Sequence, residues 1–249
     1  MKIYKKIVNS QIVIGFLSFV LFWEILHRAI PTHTIPSPLE TFIYLETVAG
    51  ELALHSLGSL LRVVTAISIS LIIGIPLGIL LGVNKTFNRM FSPFLYYMYP
   101  IPKVAFLPVF MLLFGLGNVS KILLIIFIIV FQMILSVRDG VMQIPSTYFK
   151  VMDSFSASYK QQYRYLIIPA ILPQVFSGLR ISIGISLATL FFAENYATTY
   201  GVGYFILSAW SKMNYPEMFS GIVVLGFIGL LFFKLLDWLE AHFTPWNQK

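Results

Sequence analysis

The chain has 249 residues, 58 % of them hydrophobic and only 11 % charged, with a mean hydropathy of +0.84. A soluble domain carries about 25 % charged residues, so a water-facing surface made from this sequence would be mostly apolar; lipid is the solvent that suits it. The formal charge of +7 does not mark a nucleic-acid binder, because the seventeen Lys and Arg are sparse and sit between apolar runs, and the absence of Cys excludes disulfides, thiolate catalysis and Cys metal sites.

A membrane span needs about 20 apolar residues at a rise of about 1.5 Å each. The first such run, 10–28, follows "MKIYKK" and is followed by "HRAIPTHTIPSP". No small-x-small cleavage signal is present, so it reads as a retained span rather than a signal peptide. Residues 29–53 are polar and Pro-rich and read as an outer loop. Within it, "PSPLETFIYLETV" predicts a short surface helix, capped by Ser37 ahead of Pro38 and Glu40.

Span 60–83 follows, then a short basic loop at 84–91. The run 92–115 holds Pro93, Pro100, Pro102, Pro108 and Lys103, which predicts a broken span or two shorter helices, interrupted at Pro100 and Pro102. Residues 119–137 form the next span and 138–177 the longest polar connection. Spans at 178–198 and 219–240 flank a last outer segment, 199–218. The expected fold is therefore an all-α integral membrane protein of about six spans, in one domain over 1–249. Gly74, Gly78, Gly178, Gly184, Gly221, Gly226 and Gly229 lie in or beside the spans, where small residues allow close helix packing or line a path.

Lys and Arg near span ends favour the cytoplasmic side. With an interior N-terminus, the inside holds Lys2, Lys5, Lys6, Lys85, Arg89, Arg138, Lys150, Lys160 and Arg164. The outside holds only Arg28, Lys121 and Lys212, while 29–53 carries Glu40, Glu46 and Glu51. Both termini are expected in the cytoplasm, which agrees with an even number of spans.

The cytoplasmic segment 141–177 has its own pattern. Pro145–Ser146 marks a helix start, and Tyr148, Val151, Met152, Phe155 and Tyr159 then recur at helical spacing. A break near Ser156–Ser158 leads to a second short helix, 159–168, ended by Pro169 and Pro173. The apolar stripe either lies on the membrane surface or docks in a groove of another protein. Docking fits better, because the flanking spans already anchor the segment.

Signals for chemistry are few. His27, His33, His55 and His242 form no metal-ligand spacing. Gly201–Gly203 lacks the strand and second half of a nucleotide fingerprint, and neither a phosphate-binding loop nor a nucleophile elbow occurs. Charges inside spans are costly, which singles out Glu194, Arg62 and Lys103 as interhelical partners or as parts of a gate. Tyr96, Tyr97, Tyr99, Tyr200, Tyr204 and Trp210 suit packing or the bilayer interface. Tyr96, Tyr97 and Tyr200 are also candidates for a path or gate.

From about residue 55 onward the sequence resembles the membrane subunit of ATP-binding-cassette importers. Its nearest resemblance is to permeases for nitrate, alkanesulfonate, taurine and thiamine-precursor pyrimidines. The resemblance rests on "SLLRVVTAISISLIIGIPLGILLG", "PIPKVAFLPVFMLLFGLGNVSK", "LIIPAILP" with Gly178–Arg180, "AEN" with "GVGYFILSA", and "LDWLEAHFTPW". The family's E-A-A-x-x-x-G cytoplasmic loop falls on Lys150, Val151 and Met152, with Ser156 at the glycine position. Lys150 and Ser156 depart from that pattern, and a non-glycine is strained at a bend needing positive φ.

The resemblance implies a non-catalytic subunit of a prokaryotic inner membrane, paired with a second copy of itself. It implies two cytoplasmic ATPases that supply the ATP and Mg chemistry, an extracytoplasmic solute-binding protein, and no cofactor or metal in this chain. The ATPase-docking set it implies is Tyr148, Val151, Met152, Phe155, Ser156, Ala157, Tyr159, Lys160 and Arg164. Pro100, Pro102, Pro169, Pro173 and Gly178 are the structural breaks expected from the sequence. The solute stays open between a sulfonate, nitrate and an uncharged pyrimidine precursor. The alternative is a self-sufficient channel or ion-coupled carrier with Glu194 as coupling site; a membrane scaffold is a further class.

Overall fold

The computed structural model describes the backbone of residues 2–30 and 34–247, and side chains from Val13 onward within that range as far as Trp246. His33 and the N-terminal lysines Lys2, Lys5 and Lys6 lie outside these described side chains. Among the described residues the secondary structure is entirely helical.

Helix α1 spans Lys2–Ala29 and contains the run 10–28. It ends beside Trp23, whose Nε1–H donates to the Pro36 carbonyl at 3.0 Å and whose ring packs on Phe42 and Phe219. Helix α2 runs over Pro38–Val83 without interruption. The cap is the expected one: Ser37 Oγ accepts from the Glu40 N–H, and Glu40 returns the bond to the Ser37 N–H at 2.9 Å. The expectation of an outer loop to residue 53 is corrected here. Once started at Pro38 the chain meets no helix stop, and Pro76 alone does not end a helix that packs over such a length. The basic loop expected at 84–91 shrinks likewise to Asn84, which accepts from the Phe87 N–H and starts helix α3, Lys85–Met98.

The broken span is seen as two pieces. After α3 comes a 3₁₀ turn, Lys103–Phe106, and helix α4, Leu107–Phe114, with a bend of 84° between the two arms. Pro100 and Pro102 lie at that bend, as expected. Lys103 Nζ donates to the carbonyls of Met98 and Tyr99 at 3.1 and 3.0 Å, capping the helix that the prolines interrupt.

Helix α5, Asn118–Met142, is followed by α6, Ser146–Ser154, and α7, Tyr159–Gln162. A π-helical turn over Tyr163–Ile167 then runs directly into α8, Ile168–Glu194. The expected stop at Pro169 and Pro173 is therefore corrected. Pro169 falls in the first turn of α8, where a missing donor costs little, and the wider π turn carries the chain past it. Pro173 lies inside the helix, held by buried Ile171, Val175 and Phe176. Gly178 is not a break either; a Cβ there would meet Ser136 Oγ at 2.7 Å, so it is a contact glycine.

The outer segment 199–218 contains a further helix, α9, Val202–Ser211, that folds back into the bundle with Val202, Phe205, Ile206 and Ala209 buried. Helix α10, Tyr215–Phe243, closes the fold.

Helix α2 and helix α5 pack through Gly74, Gly78 and Gly82, one every fourth residue. Added Cβ atoms would meet Met133 Cβ at 2.8 Å, Val137 Cβ at 2.6 Å and Val141 Cγ1 at 2.7 Å. Close backbone approach, rather than burial of large side chains, is what brings helices together in lipid. Gly221 makes a similar contact with Ile206, whereas Gly184 and Gly226 have nothing within 4 Å. Among the described residues, helices α2, α5, α8 (with the turn before it) and α10 are each long and apolar enough to cross a membrane, and α3 with 103–114 is a bent pair that together reaches that length.

Candidate functional site

Two regions gather the polar and exposed groups: the α6–α7 elbow, and a buried cluster at the opposite pole where α8 meets α9.

The elbow begins at Pro145, whose φ of −58° suits a helix entry. It ends in a left-handed turn at Ser156, φ +52°. The Ala157 N–H donates to the Met152 carbonyl at 3.0 Å and the Ser156 N–H to that of Asp153 at 2.8 Å. This pair of bonds is the αL helix stop that usually takes glycine. The bend thus uses positive φ with a serine in place, and the polar α6 C-terminus is satisfied regardless. Ser158 then caps α7 in a reciprocal pair with Gln161, and Gln162 Nε2 donates to Asp153 Oδ1 at 2.8 Å, tying the arms together.

Phe149 and Tyr163 face inward against the main core, so the elbow is seated on the bundle. The opposite face is open: Tyr148, Val151, Phe155 and Tyr159 are exposed, Phe155 and Tyr159 by 80 % and 83 %. Met152 and Ala157 are half-buried, while Lys160 and Arg164 are exposed, the latter over the Tyr165 ring. The periodicity therefore found the outer stripe but not its anchor, Phe149. The Asp153–Gln162 bond across the elbow has no signal in the sequence at all.

At the other pole, His55, Ser59 and Arg62 on α2 are spaced four and three residues apart, so they share one face. That face meets the start of α9. The Gly201 N–H donates to His55 Nδ1 at 2.9 Å, the Val202 N–H to Ser59 Oγ at 2.9 Å and the Gly203 N–H to Glu194 Oε2 at 2.8 Å. No residue of α9 caps its own helix; three acceptors from α2 and α8 do so. A carboxylate at the positive end of a helix is favourably placed. Gly201, φ +130°, is required twice over, since a Cβ there would also meet Glu194 Oε1 at 2.6 Å.

Glu194 is fully buried and forms an ion pair with Arg62, itself 2 % exposed. Ser59 Oγ donates to Glu194 as well, at 2.8 Å. Arg62 Nε donates to Asn118 Oδ1 at 3.0 Å and Nη1 to the Tyr200 carbonyl at 3.2 Å. The Tyr200 ring lies 4.4 Å over the guanidinium, and its hydroxyl accepts from Asn118 Nδ2. Lys121, taken from sequence as an outer-loop charge, is instead 1 % exposed; its Nζ donates to the carbonyls of Leu116, Gly117 and Ala197. Glu194, Arg62 and Tyr200 stand out in the sequence as site candidates; His55, Ser59, Asn118 and Lys121 do not, although the His55–Ser59–Arg62 spacing marks one helix face.

The remaining path candidates, Tyr96 and Tyr97, are 79 % and 73 % exposed on α3, near the bend and away from this cluster. Among the described residues no group of three His, Asp or Glu side chains converges as a metal site would require.

A family model described as binding-protein-dependent transport system inner membrane component matches residues 74–249. The chain is 32 % identical over 220 residues to the taurine transport system permease protein of Escherichia coli, covering 86 % of this chain and 80 % of that protein. It is 30 % identical over 242 residues to the bicarbonate transport system permease protein of Synechococcus elongatus, covering 91 % and 86 %. Against the formylaminopyrimidine transport permease protein of Halalkalibacterium halodurans it is 27 % identical, covering 94 % of each. Among solved structures, the MetNI methionine ABC transporter in an inward-facing conformation has a chain of the same fold. Its TM-score is 0.68 at 18 % identity, covering 80 % of this chain and 99 % of that one.

Proposed function

The chain belongs to the binding-protein-dependent transport system inner membrane components, and from that premise we propose that it is the pathway subunit of an ATP-driven importer for a small solute. The observation that carries the proposal is the α6–α7 elbow. Its inner face is anchored by Phe149 and Tyr163, while four large apolar or aromatic side chains stand exposed on the outer face. Such a patch on a rigid, capped mount suits a groove in a soluble partner rather than lipid.

In this reading 1–249 is one permease domain with six spans, α1 being the first, and with both termini cytoplasmic. Segment 141–177 couples it to an ATPase, with Phe155 and Tyr159 filling the groove and Lys160 and Arg164 meeting acidic groups at its rim. Two copies pair around the path and two ATPases bind below them. ATP-driven closure of the ATPases moves the elbows, and the seated elbows carry α5 and α8 between inward-open and outward-open arrangements. An extracytoplasmic binding protein delivers the solute at the α9 pole. ATP and Mg belong to the partner, and this chain performs no covalent step.

Tyr96, Tyr97 and Lys103 lie where α3 and α4 bend, the place we assign to the path. Glu194 and Tyr200 act at the outer gate, Glu194 by holding α9 in place rather than by lining the path. Co-purification from native membranes tests the proposal: an ATPase retained by the wild-type chain and lost on Phe155→Ala supports it. Equal retention by both would assign the elbow another role.

A further inference from the structure

The Arg62 cluster is short of one anion. Arg62 and Lys121 are both buried, and among the described residues Glu194 is the one buried carboxylate shown to pair with Arg62. Glu51, beside His55 at 3.6 Å, is exposed at the rim. Lys121 is satisfied by three carbonyls, but Arg62 is not: its Nη2 is buried with no acceptor. A buried guanidinium N–H without an acceptor is unfavourable, and an excess positive charge among apolar helices more so. Both deficits are met by one thing, a small anion.

We propose that Arg62, with the charge of Lys121 nearby, forms a binding site for a small oxyanion, kept shut by Tyr200 in this conformation. With Nε and Nη1 committed to Asn118, Glu194 and the Tyr200 carbonyl, Nη2 is the nitrogen left over, and its N–H groups suit the charged oxygen of an oxyanion. Asn118 and Lys121 are one turn apart on α5 and so present to the same side. The cover is specific. Tyr200 is 41 % exposed on one side and lies against the guanidinium on the other, so its ring separates Arg62 from the outer surface. Gly58 provides the room for that ring, since a Cβ there would meet Tyr200 Cδ2 at 2.8 Å. The hydroxyl is pinned by Asn118. Because Tyr200 directly precedes the trans-capped start of α9, a shift of α9 away from α2 would draw the ring off Arg62. The anion is either the transported solute itself or a free anion that holds the opened gate; for what the bound anion does, though not for whether it binds, the inference rests on the importer reading.

The test uses the full transporter complex in lipid nanodiscs, treated with phenylglyoxal, which modifies accessible arginines, and read at Arg62 by mass spectrometry. Arg62 is expected to be unreactive in the wild type and to become reactive in Tyr200→Ala, with at least a tenfold rise. Sodium nitrate or methanesulfonate is expected to suppress that reaction saturably, at constant ionic strength set with a bulky organic salt. Protection by nitrate, methanesulfonate and chloride alike would identify a free-anion site; protection only by the anion that also stimulates ATP hydrolysis would identify the solute. Reactive Arg62 that no anion protects overturns the proposal, as does an Arg62 that stays unreactive in Tyr200→Ala. Retention of the ATPase in the same samples separates the two readings. An ATPase present without anion protection leaves the importer reading standing and removes the site.

Discussion

Glu194, the last residue of α8, and Arg62, on α2, form an ion pair that neither water nor lipid reaches. A carboxylate at a helix C-terminus is unfavourably placed for its own helix. Here it is offset three ways, by Arg62, by Ser59 and by the Gly203 N–H at the start of α9. The pair therefore locks three helices at one pole.

Removing one partner leaves the other buried and uncompensated, which costs about 3–5 kcal/mol. Glu194→Gln is expected to lower the melting temperature sharply, because Arg62 and Lys121 then face each other without a carboxylate. The double variant Arg62→Gln with Glu194→Gln should lose less than the sum of the two single losses. Thermal unfolding of the four proteins in one detergent checks this, and additive losses would count against a direct pair.

Ser156 occupies the left-handed stop of α6, at φ +52°. Left-handed backbone costs a non-glycine residue about 1–2 kcal/mol, more when it is β-branched. Ser156→Gly is expected to be neutral to mildly stabilising, and Ser156→Val destabilising. Amide hydrogen exchange over 146–162 reads the effect locally, and equal protection in both variants would mean the stop is not strained.

The glycine ladder makes a sharper contrast. Gly78→Ala pushes a methyl group against Val137 and is expected to cost about 1–3 kcal/mol by overpacking. Gly184→Ala and Gly226→Ala meet nothing within 4 Å and are expected to gain about 0.5–1 kcal/mol from helix propensity. Melting temperatures that fail to separate these variants would contradict the close α2–α5 approach.

Phe155 and Phe149 sit on the same short segment with opposite surroundings. Phe155→Ala is expected to leave the melting temperature unchanged and to weaken ATPase binding by at least about 2 kcal/mol, roughly thirtyfold, as a buried aromatic anchor would. Phe149→Ala removes an inward packing group and is expected to lower stability first. Titration of the ATPase into nanodisc-embedded protein, alongside melting curves, separates the two effects.

Much of this was legible in the sequence. Runs of apolar residues marked the long helices, Ser37 with Glu40 marked the α2 cap, and Pro100 with Pro102 marked the bend. The exposed stripe of the elbow followed from helical spacing. What sequence could not settle was where helices stop. Pro169 and Pro173 read as terminators because each removes a donor, but a π turn and packing from α5 carry α8 through them. The polar reading of 29–53 hid the continuity of α2, since nothing polar prevents a helix from extending past a membrane. Helix α9 was missed because its caps come from His55, Ser59 and Glu194, far away in sequence. Lys121 falls on the outer side by its place in the sequence, and only the fold shows that it is buried against the carbonyls of Leu116, Gly117 and Ala197.

If the elbow holds this chain in a stable complex with a soluble ATPase, the stoichiometry of what co-purifies with tagged protein from native membranes in mild detergent will show it. Two copies of this chain with two ATPase copies are expected. A homogeneous preparation without an ATPase, confirmed after crosslinking in intact membranes, would contradict this.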